Sequence, residues 1–171
     1  MGPPCYNKSM NHNPFQPPMK IRRARPEDAD RLTAIALAAK GYWGYVEELM
    51  ALWRPNLMVT PQRVAEDLIY VATFDHEIIG FYAVVPTSEA QTYELDDLWI
   101  DPPWIGQGVG KLLFQHAVAR AKACGATSLQ LAADPHAVGF YIKMGMTKIG
   151  ERPSQPVDRV LDLMALDLVV G

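Results

Sequence analysis

The chain predicts an α+β fold, a mixed and mostly antiparallel sheet interspersed with helices. Three observations predict it. Strand-like and helix-like runs interleave along the 171 residues, two apolar runs are joined by a turn short enough for a hairpin, and a glycine-rich loop follows one strand and opens a helix. An apolar share of 49% over this length supports one sizeable core, whereas division would leave two marginal ones. A single domain over residues 19–171 is therefore expected.

Residues 1–18 hold five prolines among Asn, Gln and Ser with no apolar run, and read as a disordered tail or an added extension rather than a secretory signal. Lys20 to Ala24 then alternates like a strand, and Glu27 to Ala39 has helical spacing. Tyr42 to Trp53 is aromatic-rich with a short helix, and Thr60-Pro61 supplies a cap and a first-turn proline for a helix running to about Leu68. Ile69 to Phe74 and Ile78 to Val85 are strands, with Asp75-His76-Glu77 as their turn. Thr92 to Ile100 is the strand that feeds the glycine loop, Val109 to Cys124 the helix that leaves it, and Ser128 to Ala132 a β-like run. Asp134 is a candidate N-cap and Pro135 a first-turn residue of a helix whose Ala137, Phe140, Tyr141 and Met144 recur at helical spacing until Gly145 stops it. Strands near Thr147 to Gly150 and Val160 to Leu166 close the chain, and no internal repeat appears.

The glycine loop, Ile105-Gly106-Gln107-Gly108-Val109-Gly110-Lys111, suits an anion cradle. Residues without a Cβ let the backbone approach an oxyanion, and the unpaired amides and positive dipole end of the next helix face it. Spacing excludes two nucleotide loops. A Walker A loop would need Gly at Ile105 and Ser or Thr at Leu112, and a dinucleotide fingerprint needs Gly-x-Gly-x-x-Gly where Gly106, Gly108 and Gly110 alternate. The remaining pattern resembles the acetyl-CoA loop of the GCN5-related N-acetyltransferase (GNAT) superfamily, Arg/Gln-x-x-Gly-x-Gly/Ala. Ile105 departs from the family's first position, and Lys111 is a candidate to supply the missing contact. A second segment, Asp134 to Met146, resembles the family's Asn-x-x-Ala-x-x-Phe-Tyr-x-x-x-Gly-Phe, with Asp134 in place of Asn, Met146 in place of Phe, and Ala137, Phe140, Tyr141 and Gly145 matching.

The resemblance implies an acetyl-CoA-dependent N-acetyltransferase with helices on both faces of its sheet, working by direct transfer in a ternary complex. It implies cofactor contacts from Leu98, Trp99 and Ile100 at the end of a bulged, splayed strand. Further contacts are implied from Ile105 through Lys111 (Ile105, Gly106, Gln107, Gly108, Val109, Gly110, Lys111) and from Asp134, Ala137, Phe140, Tyr141 and Lys143. Tyr141 is either a core aromatic or the acid that protonates the leaving thiolate, a role open to a phenol because it is protonated at neutral pH. Carboxylates are unusual within a strand; the resemblance implies Glu94, at the start of this strand, as general base directly or through water, with Asp96 and Asp97 as competitors and exposed charge as the alternative for all three. In an unbulged strand Glu94 and Asp96 share one face and Asp97 takes the other. A catalytically idle module that binds acyl-CoA or a protein partner is the alternative.

The acceptor is an amine of unspecified kind, small metabolite, peptide N-terminus or lysine side chain. Candidate acceptor walls are Tyr42, Trp43, Tyr45 and Glu94; the competing reading packs Tyr45, Leu49, Leu52 and Trp53 onto the core. A net charge of −3 gives no broad footprint for nucleic acid or an anionic membrane, and no apolar run is long enough to span a bilayer. Two cysteines make no disulfide framework and four histidines have no ligand spacing, so no metal is implied and a cytoplasmic location is the simpler expectation. The resemblance also admits a homodimer.

Overall fold

A computed structural model describes residues 18–169; residues 1–17 of the expected tail lie outside the described residues. Seven strands form one sheet: β1 (Lys20–Arg23), β2 (Leu68–Phe74), β3 (Glu77–Pro86), β4 (Thr92–Ile100), β5 (Ser128–Ala133), β6 (Thr147–Ser154) and β7 (Arg159–Asp167). Their order is β1-β2-β3-β4-β5-β7-β6. Every pairing is antiparallel except β4 with β5, as the α+β expectation requires.

Helices cover both faces. On one, α1 (Ala29–Gly41) and α2 (Glu47–Leu57) contribute Leu32, Ile35 and Trp53 to a core completed by Val71 and Phe81 of the sheet. The short α3 (Pro61–Glu66) starts as its sequence predicts, Thr60 accepting from the Arg63 N–H with Pro61 behind it. On the other face, α4 (Val109–Ala123) and α5 (Val138–Lys143) bury Leu113, Phe114 and Tyr141 against Tyr82, Leu95 and Leu129. Turn chemistry is equally local: Asp75 and His76 take φ of 48° and 66°, the left-handed pair that a two-residue hairpin demands. Among the described residues no helix is long and apolar enough to cross a membrane.

Two expectations change, and a third is made specific. Asp134 does not cap α5: the helix begins at Val138 with Ala137 before it, and Asp134 instead accepts from the His136 N–H within the preceding turn. Leu52 points outward at 50% exposure while Trp53, at 5%, enters the core, because α2 offers only one face to α1. The bulge that the resemblance implies in β4 falls at Asp96. Ala83 pairs with Asp97 but Val84 pairs with Leu95, leaving Asp96 as the extra residue. Alternation reverses across it, so Asp97 joins Glu94 on the face that carries α1, and Asp97 Oδ1 accepts from the Trp99 indole there at 2.8 Å.

Gly80 fixes how closely β3 and β4 can lie beneath α4. A Cβ there would stand 3.0 Å from the Trp99 carbonyl oxygen, 3.1 Å from Leu113 Cδ1 and 3.2 Å from Ile100 Cδ1. Gly80→Ala is expected to cost about 1–3 kcal/mol through overpacking, read as a lower denaturant midpoint at unchanged slope. Beneath the same helix, the Tyr82 hydroxyl and His116 Nδ1 meet at 2.8 Å, and burial holds His116 below its ordinary pKa. The unfolded chain then takes up the proton first as pH falls, so the stability tied to neutral His116 is complete above the free-histidine pKa of about 6.5 and drains away below it. Unfolding measured across that range should show a flatter pH dependence for His116→Gln than for the parent chain.

Candidate active site

The site is a wedge opened by unequal pairing. β4 and β5 pair only through Thr92 with Ser128, Tyr93 with Leu129 and Glu94 with Gln130. Past Glu94, β4 continues beside β3 and β5 beside β7, so the two strands part and the backbone groups facing the gap lose their ladder partners. The gap widens into a cavity of about 580 Å³, with Leu95, Asp96, Leu98, Trp99 and Ile100 on one side and Leu131 and Ala132 on the other.

The glycine loop forms the floor. Gly106 and Gly108 adopt φ of 80° and 84°, and Gly108 stands immediately before α4. The N–H groups of Gly108, Val109, Gly110 and Lys111 have no backbone acceptor among the described residues, whereas that of Gln107 reaches the Trp104 carbonyl at 3.4 Å. Converging free amides at a helix start fit a pyrophosphate. Gly110 serves packing instead. It is helical, and an added Cβ would lie 3.3 Å from the Phe140 ring, so it lets α5 close on α4. Arg31 braces the loop's entry by donating to Asp101 at 2.7 Å and to the Ile78 carbonyl at 2.9 Å.

Tyr141 lines the cavity at 8% exposure, and its hydroxyl makes no hydrogen bond to protein among the described residues. Burial first, then the charges of Asp97 and Asp134, raise its pKa above the ordinary phenol value. The proton therefore stays in place at neutral pH. Asp96 also lines the cavity; loss of water and repulsion from Asp97 raise its carboxyl, against the pull of Arg63. Arg63 Nη2 lies 2.7 Å from Asp96 Oδ2 and 2.6 Å from Asp97 Oδ2, while its Nε donates to Asp67 at 3.0 Å. Glu94 is placed apart, bound to Arg152 of β6 at 2.7 Å and absent from the cavity wall.

At the far wall, Asp134 gathers groups from four segments. Lys40 of α1 donates to it at 2.6 Å, the Tyr45 hydroxyl at 3.1 Å, the His136 N–H at 3.1 Å and Arg159 of β7 at 3.5 Å. Burial pushes its carboxyl upward, but the hydrogen bonds from Lys40 and His136 win and hold it well below the usual carboxylate range. Burial lowers Lys40 in turn, opposed by Asp134. We read the pair as ionised, since Asp134 has partners enough to keep its charge. The ammonium also sits 4.2 Å from the Trp53 ring centroid and 4.8 Å from that of Tyr45.

Most residues named from the sequence converge. Leu98, Trp99, Ile100, Ile105, Gly106, Gly108, Gly110, Lys111, Asp134, Ala137, Phe140 and Tyr141 line the cavity, and Trp43 joins them, stacked on His136 at 4.9 Å. The others stand aside. Tyr45 lies behind the wall, Tyr42 is exposed, the Gln107 side chain turns back to the Pro103 carbonyl, Val109 is buried under the loop, and Lys143 lies in a neighbouring groove with Lys111. Lys40, His136 and Arg159 are wall residues that the sequence reading does not find. Lys40 carries a signal, because it falls on the buried stripe of Leu32 and Ala36, where a lysine needs a partner. Arg159 carries none, being brought in by a hairpin.

Comparison with known proteins agrees with this geometry. Residues 30–146 match the family model described as acetyltransferase (GNAT) family. The peptidyl-lysine N-acetyltransferase YjaB of Salmonella typhimurium is 31% identical over 158 residues, covering 86% of this chain and 97% of that protein. A GCN5-related N-acetyltransferase structure from Rhodopseudomonas palustris has a TM-score of 0.74 at 22% identity, over 89% of this chain and 97% of that one. The PaiA N-acetyltransferase of Thermoplasma acidophilum, in complex with coenzyme A, gives 0.69 at 21% identity over 88% and 99%. On the family model and the YjaB relative together, the chain belongs to the acetyltransferase (GNAT) family and is an N-acetyltransferase.

Proposed function

We propose that the protein acetylates a primary amine by direct transfer from acetyl-CoA within a ternary complex, with Asp96 as general base, directly or through one water, and Tyr141 as general acid. The observation that supports this most is that one cavity is lined by the glycine loop with its unpaired amides, the free Tyr141 hydroxyl and the Asp96 carboxylate. Bound acetyl-CoA supplies an acetyl thioester activated toward amines. The loop amides from Gly108 to Lys111 hold the pyrophosphate, and the unpaired main chain of β4 past Glu94 lies beside the pantetheine arm. Asp96 takes the proton that the amine sheds as it attacks, and a raised carboxyl is the better base for it. Tyr141 gives its proton to the leaving sulfur.

Glu94 is a weaker candidate for the base than its place on the strand suggests, since Arg152 holds it outside the cavity wall. The relative YjaB is named for peptidyl-lysine, which favours an amine acceptor of some kind. A cytoplasmic homodimer completes the proposal, and sedimentation velocity tests the dimer.

Tyr141→Phe should lower kcat by about 10²–10⁴-fold with little change in the KM for acetyl-CoA, measured by thiol release. Full activity in that variant would remove Tyr141 from the acid role. Coenzyme A binding without turnover on any class of amine would leave an idle module instead. The acidic limb of the kcat profile should lie above that of a free aspartate, because Asp96 must be deprotonated to act and its pKa is raised. Asp96→Asn should abolish that limb together with most of the rate, whereas Glu94→Gln should spare it.

A further inference from the structure

We infer that the acceptor amine carries a carboxylate on the same small molecule and that Arg159 receives it, an inference that rests on the amine-acetylating reading above. Arg159 lines the cavity and is 22% exposed, its guanidinium held over the Trp53 ring at 4.8 Å and the Tyr45 ring at 5.8 Å. Its polar contacts are weak. Nη1 reaches the Tyr45 hydroxyl at 3.3 Å and Nη2 reaches Asp134 Oδ2 at 3.5 Å, leaving a second N–H on each, while Nε is buried without a partner among the described residues.

Asp134 has little left to offer it. That carboxylate already accepts from Lys40 at 2.6 Å, from Tyr45 at 3.1 Å and from the His136 N–H at 3.1 Å. One cation neutralises it, so Arg159 adds a second positive charge that nothing on this wall balances. A guanidinium with unspent donors in a concave, largely apolar cavity is a receptor for a planar anion, and a carboxylate matches its fork in two parallel hydrogen bonds.

The same cavity carries the opposite sign elsewhere. Asp96, with Asp97 and Asp67 around a single Arg63, leaves negative charge in excess where the amine must surrender its proton. Trp43, stacked flat on His136, lines the same cavity and offers an apolar wall for the body of the ligand. An amine turned toward Asp96 and a carboxylate toward Arg159 use both. A simple alkylamine, or a lysine side chain in a peptide with blocked termini, leaves Arg159 unused.

The test uses pairs of amines differing only in a carboxylate, such as 5-aminopentanoate with pentylamine and phenylalanine with phenethylamine. A lysine flanked by blocked termini is the peptide arm. Thiol release with acetyl-CoA gives kcat/KM for each, and calorimetry on the coenzyme A complex gives binding whether or not turnover follows. At least one carboxylate-bearing member should be preferred about tenfold or more over its partner and over the blocked peptide. That preference should collapse toward one in Arg159→Gln and return in part in Arg159→Lys, with melting temperature confirming that both variants fold. Equal handling of every pair, a better blocked peptide, or a preference that survives in Arg159→Gln would overturn the assignment of Arg159 and leave acetyl transfer standing. Carboxylate-dependent binding without turnover on any amine would uphold the receptor and refute acetyl transfer.

Discussion

The fold turns on a pairing that stops after three residues. β4 and β5 could have zipped together along their whole length, and the product would have been a closed, continuous sheet with no site in it. Parallel ladders need both strands to keep in register, and β4 cannot keep it: Asp96 is an extra residue, and the bulge bends and twists the strand away. Gly80 keeps β3 close enough to retain β4 as it leaves. Unladdered backbone is costly to bury, so the gap is tolerable only where water or a polar ligand can reach it. A cleft for an extended, amide-bearing chain is therefore a direct product of the strand geometry, before any side chain is considered.

Asp134 does for the far wall what the bulge does for the near one. It draws α1, the segment after it, the turn after β5 and the start of β7 onto one carboxylate. Burying a charge without partners is prohibitive, and removing one member of such a pair typically costs about 3–5 kcal/mol, so the cluster holds its elements in a single arrangement. Most of its members are also cavity residues, which makes the wall stiff as well as polar.

How much of this is legible in the sequence follows from the range of each interaction. Periodicity, turn residues and caps act within a few positions, and the order of strands and helices, the hairpin at Asp75-His76 and the Thr60 cap are all readable from them. The loop and the Tyr141 segment are readable because each is contiguous. The resemblance implies a bulge but not its position, since strand pairing rather than composition decides that Asp96 is the extra residue. Asp134 misleads for a related reason: an Asp before a proline and an apolar run has the local form of a cap, but a buried lysine from α1, 94 positions away, competes for its oxygens. The far wall of the cavity is built from such distant meetings, with Arg159 114 positions from Tyr45, and no local pattern encodes them.

The contact between Gly110 and Phe140 joins the two segments that most define the site. One belongs to the helix that opens at the glycine loop, the other to the short helix that presents Tyr141, and 3.3 Å separates the ring from where a Cβ would stand. These two stretches of sequence cannot drift independently. A side chain at position 110 would press on the Phe140 ring, next to Tyr141 in α5. The glycine loop and the Tyr141 helix are thereby packed as one unit, although twenty-nine residues of chain lie between Gly110 and Phe140.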